Sequence, residues 1–463
     1  MDKLNLTLVT ASVKGVLGEY DHSITIDKND KFVIIYGPNG VGKTKFLEIV
    51  NALSRLQGDT LAVLPFDTAT LIYSDGSELS VKFEGSKRHK LSELDSLATR
   101  FSSRIPVYTL KRPNQDPICW KHEEDDFTDF LERSDRYDEL SEGYWVDLLE
   151  NNVYEIEELR EKFKGRWRRR PGKKNSAREQ ASEFTKQVPI FLIETQRLRA
   201  GENAKVPSRE RFRGARRFSR SESRINKQAA IIQSRLDKAQ TEHSRITQQL
   251  DRTFPNRVLG DKLQSDQNNG LNEQKVRLRY DEQNDFRSRL GQVASVSLDN
   301  ELSLPGRTLD EWDLKLLNQY LEDTDKKFEP FIELLKKIEL LEEIINNRLL
   351  NKKLKVTANE GLLVEHAKSS RKIPLQSLSS GEQHEIILMI DLLFNVPKGG
   401  FVLIDEPEIS LHVVWQISFI PDVNRIAELA GFKFIVATHS PQIIHDQWNH
   451  AIRLGPEEAP FDA

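Results

Sequence analysis

A chain of 463 residues with 68 Lys+Arg, 72 Asp+Glu and a formal net charge of −4 has room for a large core and two or three structural units. Hydrophobic residues make up 38% of it and charged residues 30%. No apolar run approaches the roughly 20 residues of a membrane-spanning helix, and the first residues lack a signal-peptide core. Cys119 is the single cysteine; no intrachain disulfide is possible, and a reducing, cytoplasmic setting without a membrane partner is expected. Cys119 itself is expected as a small, at least half-buried residue rather than a nucleophile.

Charge is distributed unevenly. Residues 116–161 hold 17 Asp/Glu against 4 Lys/Arg, and residues 162–227 hold 21 Lys/Arg against 6 Asp/Glu. Adjacent blocks of about −13 and +15 differ from the mixed surface of an ordinary enzyme.

In chain order, Leu4–Val9 and Ser23–Ile26 alternate with period two, as half-buried strands do. The apolar run Phe32-Val-Ile-Ile-Tyr36 reads as a buried strand, and Lys45–Leu56 as a helix with Phe46, Leu47, Ile49, Val50 and Leu53 along one side. Between them lies Gly37-Pro-Asn-Gly-Val-Gly-Lys43-Thr44. Strand, glycine loop and helix form the context of a phosphate-binding P-loop. Asn39, Gly40 and Gly42 let the backbone wrap a phosphate at the helix N-terminus. Lys43 reaches the β/γ oxygens, and the Thr44 hydroxyl is suited to Mg²⁺. A bound nucleoside triphosphate follows.

Thr68–Tyr73 and Leu79–Phe83 flank an Asp-Gly turn, which predicts a β-hairpin. Residues 86–187 read as a charged helical insertion, with Trp145, Leu148, Leu149, Val153, Ile156, Leu159, Phe163 and Trp167 at helical spacing. It runs into Arg166–Lys174, where arginines interleave with Trp167; this is either a solvated basic turn or a grip for phosphates or another acidic surface. Val188–Ile193 returns to strand character, followed by Gln196. Residues 199–354 read as an arm. Ile225, Ala229, Ile232, Leu236, Ala239, His243, Ile246 and Leu250 form a seam of 3.5-residue period, about 40 Å long, ended by Phe254-Pro255. A matching seam runs from Phe328 to Leu349 after a polar stretch at 261–300. The two predict either a projecting antiparallel hairpin or a helical bundle lying on the rest.

From 355 onwards three motifs succeed one another. Leu378-Ser379-Ser380-Gly381-Glu382 has capping-box spacing between Ser379 and Glu382 and starts a helix. Phe401–Ile404 is a buried strand ending in Asp405 and Glu406, one carboxylate suited to Mg²⁺ and the next to polarising a water. Phe434–Ala437 is another, ending in Thr438-His439-Ser440-Pro441, where His439 can read a γ-phosphate.

This order resembles the ABC-type P-loop ATPase head, an α/β fold, here with helical and coiled-coil insertions like those of the SMC, Rad50 and RecF branch. The match covers 1–84, 188–198 and 355–463, and implies head segments at 1–85, 188–198 and 355–463 around insertions at 86–187 and 199–354. It implies Lys43 and Thr44 as Walker A and Asp405 and Glu406 as Walker B, with Glu406 the catalytic base and His439 the switch histidine. Gln196 becomes the Q-loop residue, beside Thr44 and Asp405 at the metal. Ser379, Gly381 and Glu382 become the signature that closes over the ATP of a second copy. Two departures stand out. The usual Leu-Ser-Gly-Gly-Gln is Leu378-Ser-Ser-Gly-Glu382, and the D-loop aspartate position holds His412, which is consistent with weak or stimulus-dependent hydrolysis.

The run LIDEPEISLH…THSPQII is similar to bacterial anti-phage ATPases of the OLD, Gabija and Septu kinds. FLIETQRLR (191–199) and QQLDRTFPNR (248–257) are similar to the ATPase subunits of the PARIS system. Only 24 residues follow His439, too few for a TOPRIM nuclease. The resemblance therefore implies ATP and Mg²⁺ as cofactors, an ATP-sandwiched homodimer or a larger ring of dimers, and a separate effector nuclease or toxin of TOPRIM type. Its trigger would be a phage protein, such as a DNA mimic, or DNA. A RecF/Rad50-like repair ATPase that binds DNA, or a transporter ATPase subunit, are the competing readings.

Overall fold

The structure, a computed structural model, describes residues 6–27, 30–84, 104–122, 131, 134, 136–141, 144–147, 152–155, 159, 162–163, 176–194, 224–260, 272–294, 304–409 and 411–456. Gln196, the basic run 166–174 and the polar entry 199–220 lie outside the described residues.

A five-stranded parallel sheet organises the fold. Its strands are β3 (Phe32–Tyr36), β11 (Ile190–Glu194), β15 (Phe401–Asp405), β16 (Lys433–Ala437) and β17 (Ala451–Arg453), in the order β11-β15-β16-β3-β17. Parallel sheets are covered on both faces, so their strands read as continuous apolar runs. Here successive residues serve two different cores. Phe32, Ile34, Val402, Ile404, Phe434 and Val436 point into one; Val33, Ile35, Phe401, Leu403, Ile435 and Ala437 point into the other.

The second core is closed by helix α1 (Lys43–Ser54) and by a six-stranded antiparallel sheet. That sheet comprises β1 (Leu8–Val16), β2 (Tyr20–Thr25), β4 (Thr68–Tyr73), β5 (Glu78–Glu84), β6 (Ile105–Lys111) and β7 (Ile118–Lys121), in the order β2-β1-β4-β5-β6-β7. The short helix α2 (Gly58–Val63) and helix α3 (Ser176–Thr185) lie against it. The β4–β5 hairpin is the one the Asp-Gly turn predicts, with Thr68 opposite Lys82 and Ile72 opposite Glu78. Phe46, Leu47, Ile49, Val50 and Leu53 of α1 are all fully buried, each burial stabilising by about 1.5–3 kcal/mol. Since α1 has Gly42 at its N-cap and no side chain capping it, packing fixes this helix.

Three expectations for the insertions are corrected. The described residues of 86–187 hold, besides helix α3, five strands: β6 and β7 extend the antiparallel sheet, and β8 (Tyr137–Ser141), β9 (Tyr144–Asp147) and β10 (Asn152–Glu155) form a separate meander. Trp145 faces Tyr154 and Val146 faces Val153 across β9 and β10. Aromatic and β-branched residues favour strands, and this outweighs the helical spacing of Trp145 and Val153. Cys119, expected to be covered, is exposed on edge strand β7.

In the arm, Phe254-Pro255 does not end the first helix. Helix α4 runs Arg224–Gly260 with Pro255 inside it. Beyond the proline, Arg257 donates to the Leu250 carbonyl at 2.9 Å and pairs with Asp323 across the arm, which holds the last turns in place. The polar stretch contains a further helix, α5 (Glu273–Val293), which packs on α6 (Glu311–Asn346). α4 and α6 pair antiparallel, with Lys327 reaching Asp251 and its carbonyl 2.7 Å from His243 Nδ1. The lower halves of both helices (Ile225, Ala229, Ile232, Leu236; Leu335, Ile338, Leu341, Ile344, Ile345) belong to the same core as the parallel sheet. The arm is thus three packed helices whose base is built into the head. Strands β12 (Lys352–Thr357), β13 (Gly361–His366) and β14 (Lys372–Ile373) lead from it to α7 (Ser380–Ile390). After β15 come α8 (Val413–Ala430) and, after β16, the short α9 (Pro441–Ile444). No described helix is long and apolar enough to cross a membrane.

At the base of the arm Arg348 is only 5% exposed and pairs with Glu385 of α7 and Asp422 of α8, donating also to Ser418 Oγ at 3.1 Å. Burial pulls the Arg348 guanidinium down and the Asp422 carboxyl up from their ordinary values. Desolvation therefore outweighs the attraction, and the cluster specifies the joint between three helices more than it stabilises it. Arg348→Ala leaves two carboxylates buried without their cation and is expected to destabilise by about 3–5 kcal/mol. Replacing Arg348, Glu385 and Asp422 together with apolar residues should cost less, as read from denaturant unfolding. A triple variant weaker than the single one would contradict the assignment.

Candidate functional site

The C-terminal ends of β3, β15 and β16 lie in register. Asp405 pairs with Ala437 and Ala437 with Ile35, so one row crosses the sheet at this level, with Glu194 beside Asp405. Neighbouring strands lie about 4.8 Å apart. The loops leaving Tyr36, Asp405 and Ala437 therefore emerge side by side, about 10 Å from first to last. The main chain ties them together: Glu406 N–H donates to Ala437 O at 2.9 Å and Thr438 N–H to Ile35 O at 3.0 Å.

The glycine loop has the backbone its sequence requires. Gly42 has φ 86°, and a Cβ there would lie 2.5 Å from Val16 Cγ1. At Gly37 a Cβ would lie 2.2 Å from the Leu454 carbonyl oxygen, because the segment after β17 lies against the loop. Only glycine fits either position. Gly40 also has positive φ, and nothing lies within 4 Å of where its Cβ would be.

Lys43, the first residue of α1, is 4% exposed. Its ammonium donates to the carbonyls of Gly37 at 2.9 Å and Pro38 at 3.0 Å, and lies 3.3 Å from His439 Nδ1. Burial lowers its pKa, while Glu406, Asp405 and Glu408 act in the opposite sense. An ammonium has no acceptor lone pair, so Nδ1 of His439 accepts from it and the imidazole proton sits on Nε2. Nε2 faces Glu406 Oε1 at 3.6 Å, an electrostatic contact rather than a hydrogen bond. Glu406 has φ 46°, a left-handed backbone uncommon outside glycine and a recurrent feature of functional sites. Asp405, at the buried end of β15, is 5% exposed.

The structure thus brings Lys43, Asp405, Glu406 and His439 together, with Thr44 the next residue of α1 after Lys43. Gln196 lies outside the described residues, two positions beyond Glu194. Ser379, Gly381 and Glu382 occupy the start of α7. The expected capping box is present: Glu382 N–H donates to Ser379 Oγ at 3.3 Å and Ser379 N–H to Glu382 Oε2 at 2.9 Å. Lys352 holds the Glu382 carboxylate at 2.8 Å. These contacts run within the segment and to β12, and Ser379 is exposed to solvent. His412 caps α8, accepting from Val414 N–H at 3.4 Å. Glu408 went unassigned in the sequence, although its carboxylate bonds the His439 main chain. Three carboxylates in the four residues Asp405–Glu408 were the available signal.

Residues 199–445, more than half of the chain, match the AAA_21 family, described as an AAA domain, putative AbiEii toxin, type IV TA system. Asp405, Glu406, His439 and the Ser379–Glu382 segment fall inside that range; the P-loop precedes it. The Retron Ec83 probable ATPase of Escherichia coli is 34% identical over 89 residues, and the chain spans only 16% of that relative's length (17% of its own). Among solved structures, the Smc head domain of Pyrococcus furiosus with an extended coiled coil, bound to the C-terminal domain of ScpA, is 13% identical with a TM-score of 0.36, over 97% of this chain and 93% of that one. The SMC head domain of Thermotoga maritima is 11% identical with a TM-score of 0.31, over 98% and 100%. The fold described above stands on this chain's own strand order.

Burial, then the Lys43 charge, pull the His439 pKa below its ordinary 6.5, while Glu406 and Glu408 pull it up. Its imidazole is accordingly neutral at pH 7. Because the folded value is depressed, its contribution to stability is complete above about pH 6.5 and declines as pH falls below that. An NMR titration of the His439 ring should give a midpoint below 6.5, moving up in Lys43→Ala and further down in Glu406→Gln; a midpoint above 6.5 would contradict this geometry. With a family match over more than half its length, and the carboxylates and histidine of the site inside the matched range, the chain belongs to the AAA-domain family AAA_21.

Proposed function

We propose that this chain binds and hydrolyses ATP, and that it does so as the sensor and scaffold subunit of a bacterial anti-phage system. The observation that carries the first part is the Lys43 ammonium, buried in a glycine loop and faced by Asp405, Glu406 and His439. The glycine loop and the buried carboxylate suit a triphosphate with Mg²⁺, which Thr44 and Asp405 would hold, with Gln196 as a third candidate. Bound there, Mg²⁺ supplies charge neutralisation of the phosphate oxygens. The chain's own groups do the rest. Lys43 exchanges its loop carbonyls for the β/γ oxygens, and loop N–H groups of Asn39, Gly40 and Gly42 surround the phosphates. Glu406 takes a proton from a water whose oxygen bonds to the γ-phosphorus as the bond to the β–γ bridging oxygen breaks. His439, neutral with its proton on Nε2, donates to a γ-phosphate oxygen.

Ser379, exposed at a helix start, and Gly381 and Glu382, part-buried behind it and held by the capping and Lys352 contacts, are the groups offered to a second copy. ATP would then be sandwiched between two chains, with larger rings built from such dimers. The family described as a putative AbiEii toxin, with the retron ATPase relative, favours a defence role. A separate effector, a TOPRIM-type nuclease or toxin as in PARIS systems, would be held by this chain (the counterpart of AriA) and released when a phage protein or DNA is sensed.

Lys43→Ala should weaken ATP binding at least tenfold, measured with a fluorescent ATP analogue. Co-purification with the product of the neighbouring gene, with and without ATP, tests the scaffold role. Retention that depends on ATP and is lost in Lys43→Ala is expected; a neighbour never retained, together with tight duplex DNA binding, would favour the repair ATPase instead.

A further inference from the structure

The loops after β15 and β16 are joined by more than their main chains. The Glu408 carboxylate accepts the His439 backbone N–H at 2.6 Å through Oε1. Gln416 on α8, 8% exposed, forms a second link. Its Oε1 lies 2.7 Å from Ser440 Oγ, and its Nε2 lies 3.4 Å from the carbonyls of both Glu408 and Leu411. The two carbonyls can only accept, which fixes the amide orientation: nitrogen to the carbonyls, oxygen to Ser440. Ser440 Oγ therefore donates its proton to Gln416 Oε1 and accepts Gln442 N–H at 3.2 Å. With Glu406 N–H on Ala437 O, three links of different kinds join the segments that carry Glu406 and His439.

We propose that Glu408 is a positioning residue of this site: through the His439 main chain, and with the Gln416–Ser440 bond behind it, it fixes where the imidazole stands relative to Glu406 and Lys43. This rests on His439 acting in ATP hydrolysis, as read above. A carboxylate accepting a backbone N–H is among the stronger hydrogen bonds available to a loop. Without it, nothing described in the structure holds the His439 peptide N–H, and the main chain of residue 439 is restrained only through Thr438 and Ser440 on either side, whose own bond joins Ser440 N–H to Thr438 Oγ1 at 3.0 Å. The Glu406 backbone, already left-handed, gains the same restraint from the other side, since Glu408 sits on the short turn that follows it (Pro407–Ile409).

The test compares Glu408→Ala, Glu408→Gln and Gln416→Met in the full chain. Glutamine keeps an acceptor of the same shape and removes the charge. Glu408→Ala should lower kcat for ATP hydrolysis by about ten- to hundredfold with KM unchanged within about twofold. Glu408→Gln should stay within about threefold of the parent, and Gln416→Met should fall between. The His439 backbone amide proton, read by NMR, should lie well downfield in the parent and in Glu408→Gln and move upfield in Glu408→Ala. That readout needs no turnover, so a parent chain that hydrolyses no ATP would overturn the function proposed above while the amide still decides this assignment. An unmoved amide in Glu408→Ala overturns it, as does an equal kcat loss in Glu408→Ala and Glu408→Gln, which would assign the effect to charge alone. If Glu408→Ala does not fold, Gln416→Met with parental kcat and an unmoved His439 amide overturns it instead.

Discussion

An ammonium withdrawn from water needs compensation at short range, and at Lys43 that comes from two sides. The Gly37 and Pro38 carbonyls bond it directly, and the charges of Glu406, Asp405 and Glu408 act on it from the neighbouring loops. The balance is incomplete, since burial still lowers its pKa. Such a cation is poised to accept anionic oxygens, and it is held in place by structure rather than by its own side chain. Its Cα is fixed by α1 in the antiparallel-sheet core, while its partners are fixed by strand ends whose alternate residues are shared between two cores. Changing either core would move one side of the site against the other.

Much of this was legible in the sequence because the decisive features are local. Five apolar residues before a glycine loop, or four before Asp405-Glu406, suit a buried parallel strand, and Ser379 and Glu382 carry their capping relation in their spacing. The α/β fold class and the strands of the parallel sheet at Phe32–Tyr36, Phe401–Asp405 and Lys433–Ala437 are therefore legible in the sequence. Elsewhere the local signal was ambiguous. Trp145 and Val153 sit at helical spacing and also in a β-ladder, and only the pairing of β9 with β10 decides. In α5 the buried positions Val276, Tyr280, Gln283, Leu290 and Val293 are sparse and one is polar, so the stretch looked aperiodic until α6 supplied the surface they cover. Pro255 was read as a stop because a proline removes a helix bond; the anchoring of Arg257 by Asp323, 66 positions away, is invisible to a local reading. Glu408 was missed for a related reason: its partner, the His439 N–H, is close only once β15 and β16 lie side by side.

The arm and the site are parts of one packed body. α4 and α6 enter the core that α7 and α8 also fill, and Arg348 at the foot of α6 touches both of those helices. α7 starts at Ser379, and α8 follows the loop bearing Glu406 and Glu408. Close-packed interiors transmit displacement rather than absorb it. A load on the arm thus has a physical route to both the segment that starts at Ser379 and the loop that bears Glu406 and Glu408.

The account turns on Glu406 as the group that takes the proton from the attacking water, and one measurement addresses it directly: single-turnover release of phosphate from ATP by Glu406→Gln beside the parent chain, with sedimentation of the same samples. The account predicts that the variant binds ATP as tightly as the parent, releases phosphate slower by about a hundredfold or more, and accumulates as ATP-bound dimers. A variant that hydrolyses ATP at the parental rate would contradict it.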